Sequence, residues 1–339
     1  MSSTSRTPSP DHPFRGAHVS APAEAGSSGG TVGNGPAPGR AGSGALARLF
    51  TMPYALVVTP VATGLIVYGG MPWQQHLLMR AAGLEELLQF LLSPSGLPAL
   101  LAMAGGLLLL LVSVVATGLA SSAGLLGISL LGLLPLSLSA VPQVLTSLYE
   151  VLPEVLRPAS YGIFAQGVAL VLYPVLGGMG LALVIARRRP RPHLAVSLPG
   201  VVALPVMLLL GAWLTMYGYA MVMRSFSMTF GAEAAPAPAL LALVAGMVLL
   251  WLGIGAAGGS PYALVLPALV LLVFSAGFLV PGFFSMLPAL MFSQTGGVLM
   301  SVVATGTGAA IGIAMLVHTA VQRTVSSRAR RRLVRPSAP

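Results

Sequence analysis

Side chains that could do chemistry are few in this chain of 339 residues, and they lie far apart. The five His stand at positions 12, 18, 76, 193 and 318, and the sequence contains no Cys and no Lys. Without Cys there are no disulfides, thiolate metal sites or Cys nucleophiles, and without Lys there is no phosphate-binding P-loop. His318 lies near the end of an apolar run, where a position at the membrane surface would explain it. We therefore predict no catalytic residue, no metal site and no cofactor.

Charge is scarce along the whole sequence. Hydrophobic residues make up 56% and charged residues 7%, with a mean hydropathy of +0.90. A soluble domain carries about 25% charged residues, so most of this surface must face lipid. The net charge of +10 comes from short Arg clusters between apolar runs. We therefore expect the lipid bilayer as partner and no nucleic acid.

Eight apolar runs have about the length of roughly 20 residues that crosses the hydrocarbon core. Their backbones must be helical, because an unpaired amide in lipid costs several kcal/mol. The sequence therefore predicts an all-α, polytopic helical membrane protein with about eight transmembrane helices. The runs are 50–70, 97–120, 125–143, 162–186, 198–222, 237–257, 262–281 and 296–320.

Arg residues indicate how the chain is oriented. All 17 basic residues are Arg, and 14 of them lie before the first run, after the fourth and after the eighth. By the positive-inside rule this side is cytoplasmic, which places both termini there. The all-Arg, Ala-rich and Gly-rich composition is typical of a bacterial genome rich in GC, so we expect the bacterial plasma membrane.

The two ends of the chain are predicted as tails. Residues 1–44 are rich in Ser, Gly and Pro, and such a segment cannot bury enough apolar surface to fold, so we expect a disordered cytoplasmic tail. Residues 323–339 form a basic cytoplasmic tail. This tail is expected either to bind anionic lipid or to act only as a topology anchor.

The membrane part is predicted to contain a tandem duplication. The run 98–102 recurs as 238–242 at an offset of 140, and Val141–Pro142 recurs as Val280–Pro281 at an offset of 139. Two copies with four spans each have the same orientation, as in parallel repeats. The units would be 45–192 and 193–322, and chance similarity among Leu, Ala and Gly is the alternative.

Two loops on the Arg-poor side have the pattern of amphipathic helices. In the first loop one helical stripe is formed by Leu77, Ala81, Leu84, Leu88 and Leu91. Residues 144–155 of the second loop form a similar apolar stripe. Trp73 precedes the first stripe, at the level expected for a membrane interface. We expect both helices to lie on the outer face of the membrane or of the bundle.

Candidate site residues follow from prolines and from the few polar groups in the runs. Pro142 and Pro281 occupy matching places in the two units, and Gln143 and Gln166 are the nearest side chains that bind neutral polar groups. These four are the candidates for a substrate path. Gly308 and Gly312 form a G-x-x-x-G pattern that favours close helix packing. Acidic and basic residues are absent from mid-run positions, which argues against a carboxylate-based proton pump.

Three functions remain open at this stage. The first is a permease-like protein that moves a small neutral or lipid-like solute, alone or with a separate ATPase or other membrane subunit. The second is a non-transport scaffold or assembly subunit that uses the outer helices as docking faces. The third, an enzyme acting on lipid, has the least support because no buried acid, base or metal ligand is found, so we expect no enzyme.

Overall fold

The computed structural model describes residues 39–79, 84–154, 157, 163, 166–188, 198–229, 233–280, 283 and 293–334. Its ordered elements are helices, which we number in chain order. They are α1 Gly39–Met79, α2 Leu84–Leu91, α3 Gly96–Ala120, α4 Ala123–Leu131, α5 Leu133–Ala140, α6 Pro142–Val151, α7 Val168–Arg188, α8 Leu198–Thr229, α9 Ala237–Ala256, α10 Val265–Gly277, α11 Gln294–Ala304 and α12 Thr307–Val334. A 3-10 turn, Ala257–Gly259, follows α9.

The chain is a polytopic helical membrane protein, but the predicted count of eight spans is too high. Among the described residues, six helical stretches are long and apolar enough to cross a membrane, and the bent pair α11–α12 makes up to seven. The predicted run 262–281 corresponds to α10, which has only 13 residues. At 1.5 Å per residue that is about 20 Å, less than the roughly 30 Å of the hydrocarbon core.

Several predicted boundaries also shift. The first helix begins at Gly39, so the last six residues of the predicted tail 1–44 are helical, while 1–38 lie outside the described residues. The helix predicted over 162–186 begins at Val168. The helices from Ala41 onward belong to one compact unit.

Two hydrogen bonds between helices mark one end of the bundle. Arg187 donates a hydrogen bond of 2.6 Å to the carbonyl oxygen of Gly118, and Gln322 donates one of 2.9 Å to that of Ala257. We call this end, which carries Arg187, Arg188 and Arg323, the Arg-rich end. The starts of α7 and α12 lie at the opposite end, because each of these helices runs toward its Arg residues.

Helix pairs in the two halves cross at matching glycines. A Cβ on Gly106 of α3 would lie 2.7 Å from the carbonyl oxygen of Ala62 in α1, and a Cβ on Gly246 of α9 would lie 2.7 Å from that of Gly211 in α8. Gly106 and Gly246 are 140 positions apart, and Ala62 and Gly211 are 149 apart. The same crossing therefore occurs twice, as in a tandem repeat.

Contacts are also exchanged between the halves. Gly118 of α3 packs on Val321 of α12, and Gly258, just after α9, packs on Ala182 of α7. Val321 and Ala182 are 139 positions apart, so each half presents its second helix to the fourth helix of the other. Such an exchange is what two repeated units would produce, and the duplication itself stays a prediction. Helices α7 and α12, which pack against each other, are the central pair.

The outer helices differ from the predicted stripes. The first stripe falls on two helices, because Leu77 belongs to α1, which runs to Met79, and Leu84 begins α2; residues 80–83 lie outside the described part of the chain. Trp73 is buried and packs edge-on against Phe90 of α2 with ring centroids 5.1 Å apart. Leu88, expected on the apolar face, is half exposed. Helix α2 thus covers Trp73, and the membrane depth of Trp73 stays a prediction.

Candidate functional site

Both central helices begin at a polar residue followed by a left-handed glycine. Gln166–Gly167 precedes α7 and Thr305–Gly306 precedes α12, with φ of 68° at Gly167 and 78° at Gly306. Glycine adopts positive φ without the steric cost that a Cβ brings. At the second place the chain is bent by 64° between α11 and α12, whereas the residues directly before Gln166 lie outside the described part of the chain.

A chain of side-chain hydrogen bonds joins Gln166, before the start of α7, to two other helices. The Nε2 atom of Gln166 donates to Oε1 of Gln74 at 2.9 Å, and Nε2 of Gln74 donates to Oγ of Ser301 at 3.1 Å. These bonds connect the start of α7 to α1 and α11. We call Gln74, Gln166, Ser301 and Thr305 the break site.

The second break contributes further polar groups. The Thr305 hydroxyl donates to the carbonyl oxygen of Val302 at 2.9 Å and lies 3.0 Å from the Thr307 hydroxyl. Both Thr side chains are fully buried. Gly70 of α1 packs directly on the Thr305 carbonyl, so α1 lies against the break and holds Gln74 near it.

One polar atom of the break site is unsatisfied. Oε1 of Gln166 is buried and accepts no hydrogen bond within the structure. A buried acceptor without a donor costs about 1–3 kcal/mol, and such groups commonly mark the place of a water molecule or ligand. The break site is thus short of at least one hydrogen-bond donor.

The surroundings of the break site are apolar and uncharged. Phe274, Phe278 and Phe283 pack on one another and on Val303 beside Thr305. The site itself offers amides and hydroxyls, which donate and accept hydrogen bonds without carrying charge. Among the described residues no group of three or more His, Cys, Asp or Glu could hold a metal ion. The site suits binding of a neutral group better than acid–base chemistry.

The four predicted path residues lie in different places. Gln166 is part of the break site, whereas Gln143 is exposed on α6. Pro142 is the first residue of α6, where its missing N–H costs nothing, so it begins a helix and does not kink one. Pro281 lies outside the described residues.

The predicted packing glycines face a helix of the same chain. A Cβ on Gly308 would lie 2.8 Å from Oγ of Ser275, and a Cβ on Gly312 would lie 2.9 Å from Cγ of Leu272. Both partners belong to α10. The G-x-x-x-G face therefore lets α12 approach α10 within the chain.

Two Gln are missing from the residues that the sequence singled out, although each has a signal there. Gln74 is a polar residue within the first apolar helix, and Gln322 stands four residues after His318 on one helix face. His318 is completely buried among the helices, and its position near the membrane surface stays a prediction.

No protein family, curated protein or solved structure matches this chain. What points to a function is therefore the chemistry of its own polar groups. These groups occupy two regions of the central helices, namely the break site and a buried face of α12 that contains His318 and Gln322.

Proposed function

We propose that this chain is a permease-like protein of the bacterial plasma membrane that moves a small neutral or lipid-like solute. It acts alone or as the membrane subunit of a larger complex. The observation that carries the proposal is the break site, where two helix starts, each after a left-handed glycine, meet a chain of half-buried amides and hydroxyls.

Broken helices at a repeat interface are typical of transporters. In lipid, backbone without helical pairing is tolerated only where protein or a watery cavity satisfies it. Transporters built from repeats bind their substrates where the repeats meet, at the ends of discontinuous helices. The starts of α7 and α12 supply unpaired N–H groups beside Gln166 and Thr305, which supports a solute site between the two halves.

The chemistry of the break site favours a neutral solute. Its side chains are two Gln, a Ser and a Thr, and the ring cluster of Phe274, Phe278 and Phe283 covers one flank. An ionic substrate would lose its hydration without gaining an opposite charge. A neutral polar group pairs with the free Oε1 of Gln166 while its apolar part contacts the rings.

The orientation follows from the Arg-rich end. Arg188, Arg323, Arg328 and Arg331 are exposed there, and the positive-inside rule places such residues in the cytoplasm. Glu85, Glu86, Glu150 and Glu233 then lie outside. The break site then lies toward the outer side of the membrane. Both termini are cytoplasmic only if the number of crossings is even, so this proposal requires the short helix α10 to cross as well.

The partners follow from the same charges. Anionic lipid of the inner leaflet is attracted to the Arg of the C-terminal segment at about 1 kcal/mol per Arg near the surface. The chain has no Lys and hence no P-loop, so ATP as an energy source would require a separate ATPase subunit.

A scaffold or assembly subunit is the second candidate. Short helices outside the central pair expose apolar side chains, for example Val144 and Val151 of α6 and Leu92 after α2. Exposed apolar patches at the bundle ends suit a docked membrane partner. In this function the break site would be a packed structural junction, dry and closed.

Thiol labelling separates the two candidates because the chain has no Cys of its own. Gln166→Cys and Ser301→Cys are treated in lipid with a membrane-impermeant thiol reagent, with and without a panel of small neutral solutes. Val303→Cys is the matched control, since Val303 is buried in the aromatic cluster beside the break.

A permease predicts labelling at 166 and 301 that is faster than at 303 and is slowed by a solute that binds. If all three positions stay inert in folded protein, the junction is dry and the scaffold function is favoured.

A further inference from the structure

One face of α12 carries polar residues where a membrane helix normally carries apolar ones. His318, Gln322, Ser326 and Arg330 follow one another at intervals of four residues and therefore lie on the same side of the helix. Their exposed fractions are 0% for His318, 1% for Gln322 and 5% for Ser326. We call these four residues the polar face of α12.

Three of these four side chains have at least one buried polar atom without a hydrogen-bond partner. Both ring nitrogens of His318, the Oε1 atom of Gln322 and the Nη2 atom of Arg330 are buried and unpaired within the structure. Gln322 uses only its amide nitrogen, which donates to the Ala257 carbonyl. A buried polar atom without a partner destabilises the folded state, and water in contact with the polar face would supply the missing hydrogen bonds.

The opposing wall adds another unpaired group. The bond from Gln322 to Ala257 places the polar face against the turn that follows α9. Ser260, the residue after that turn, has a buried hydroxyl with no partner. Unpaired donors and acceptors thus lie on both sides of the contact, and water bridges such groups with two to four hydrogen bonds.

The first half of the chain shows that the fold does not require this polarity. At the offset of 139 that relates α7 to α12, His318 corresponds to Met179 and Gln322 to Leu183. Both equivalents are completely buried and apolar. The same packing position is therefore filled by hydrocarbon in one half and by an imidazole and an amide in the other, which marks the polar face as functional.

We propose that the polar face of α12 lines a water-filled path that opens at the Arg-rich end and gives protons access to His318. The path begins at Arg330 and passes Ser326 and Gln322. His318 lies five residues before Arg323, the first charged residue of α12, which is about 7.5 Å along the axis. A hydrated proton protonates the unprotonated ring nitrogen of neutral His318 and gives the imidazolium form. The reverse step returns the proton from the same nitrogen to water, and an onward step releases the proton of the other nitrogen, which leaves neutral imidazole again.

The charged form of His318 would be stabilised by water, because the described parts of the neighbouring helices offer it no opposite charge. Helices α3, α10 and α11, which pack against α12, carry no titratable residue, and α7 carries Tyr173, Arg187 and Arg188. On α1, Tyr54 and Tyr68 face outward and His76 stacks on Phe90. The described residues of these helices include no Asp or Glu. Protonation of His318 therefore depends on hydration of the path.

The proton path stands on the polar face alone, whereas its use as the coupling ion for solute movement rests on the proposed function. It supplies what the break site lacks, namely a group that changes charge during a transport cycle. A permease with a neutral solute and a titrating His would draw on the proton gradient and would need no ATPase.

The test uses single Cys variants of the full chain in lipid nanodiscs and a charged, membrane-impermeant thiol reagent. Ser326→Cys and Gln322→Cys are compared with Val325→Cys and Val321→Cys, whose native side chains are 6% and 5% exposed at the same depth. A hydrated path predicts labelling at 326 and 322 that is at least tenfold faster than at the neighbouring control. Equal rates within each pair would overturn the proposal.

A variant copied from the other half closes the path. His318→Met with Gln322→Leu places the residues of α7 into α12, so folding is preserved and the melting temperature stays equal or rises. We expect labelling at Ser326→Cys to fall to the control rate in this background. Unchanged labelling there would show that the polar face does not hold the water.

Protonation is read directly from histidine nitrogen NMR signals, with the His318 signal assigned as the one lost in His318→Met. We expect that signal to titrate reversibly between pH 4 and pH 8. A neutral imidazole throughout that range would overturn proton access. If Ser326→Cys is labelled and Gln166→Cys is inert, the proton path is supported and the permease function is contradicted. If Gln166→Cys is labelled and Ser326→Cys is inert, the permease function is supported and the proton path is contradicted.

Discussion

Gly167 and Gly306 adopt the same left-handed backbone conformation, with φ of 68° and 78°, one residue before the two central helices α7 and α12. The residues that precede them, Gln166 and Thr305, are likewise equivalent at an offset of 139. Each of these two places contacts the first helix of the other half. Gly167 packs on Tyr219 of α8, and Gly70 of α1 packs on Thr305. A left-handed glycine is therefore shared by the starts of both central helices.

Substitution of either glycine by Ala strains the backbone. A non-glycine residue in this conformation costs about 1–2 kcal/mol, so Gly167→Ala and Gly306→Ala should each lower the melting temperature in detergent. Gly297→Ala is the control, because Gly297 is helical and a Cβ there would meet open space. Equal melting temperatures for all three variants would contradict the assigned breaks.

The repeated helix crossing predicts a matched pair of packing effects. Gly106→Ala and Gly246→Ala insert a methyl group against backbone carbonyl oxygens, and overpacking of this kind costs about 1–3 kcal/mol. Gly105→Ala faces open space next to Gly106 and should be neutral or slightly stabilising. Thermal unfolding measures all three, and a neutral Gly106→Ala would argue against the close approach of α1 and α3.

The bond between Gln74 and Gln166 should show as a coupling energy. Polar pairs between membrane helices couple by about 0.6 kcal/mol on average, and by up to about 1.7 kcal/mol. A double-mutant cycle with Gln74→Ala and Gln166→Ala, read by reversible unfolding, should give a value in this range. Strictly additive single effects would show that the two amides do not interact.

The orientation predicts where reporter fusions work. A reporter that is active only outside the cytoplasm should be active after Glu86, Glu154 and Glu233, because the Arg-rich end is retained inside. It should be silent after Arg191 and Arg335. Activity at Arg335 would mean that the C-terminus is outside and that the number of crossings is odd.

The sequence predicted those parts of the fold that depend on local composition. Apolar length indicated most of the spans, and the recurrence of 98–102 at 238–242 pointed to the helices whose glycines Gly106 and Gly246 make equivalent crossings. The α10 span was overestimated because the run 262–281 counts apolar turn residues at both ends, and only the stretch Val265–Gly277 is helical. Hydropathy does not register where a helix ends among apolar residues.

The candidate site was predicted only in part. Gln166 could be named because it is a polar residue in an apolar run, but its partner Gln74 lies 92 positions away, and only folding brings them together. His318 was placed at the membrane surface by its distance from the Arg cluster. Its burial depends on the packing of α12 against α3, α7 and α10, which no local pattern encodes.

The sidedness of thiol labelling tests most directly whether the two ends of the central helices are open to water. Gln166→Cys and Ser326→Cys are placed in sealed vesicles of known orientation and exposed to an impermeant reagent from one side at a time. We predict that Gln166→Cys reacts only from the outer side and Ser326→Cys only from the cytoplasmic side, each faster than Val303→Cys and Val325→Cys. A folded protein in which Gln166→Cys reacts from neither side would contradict the permease.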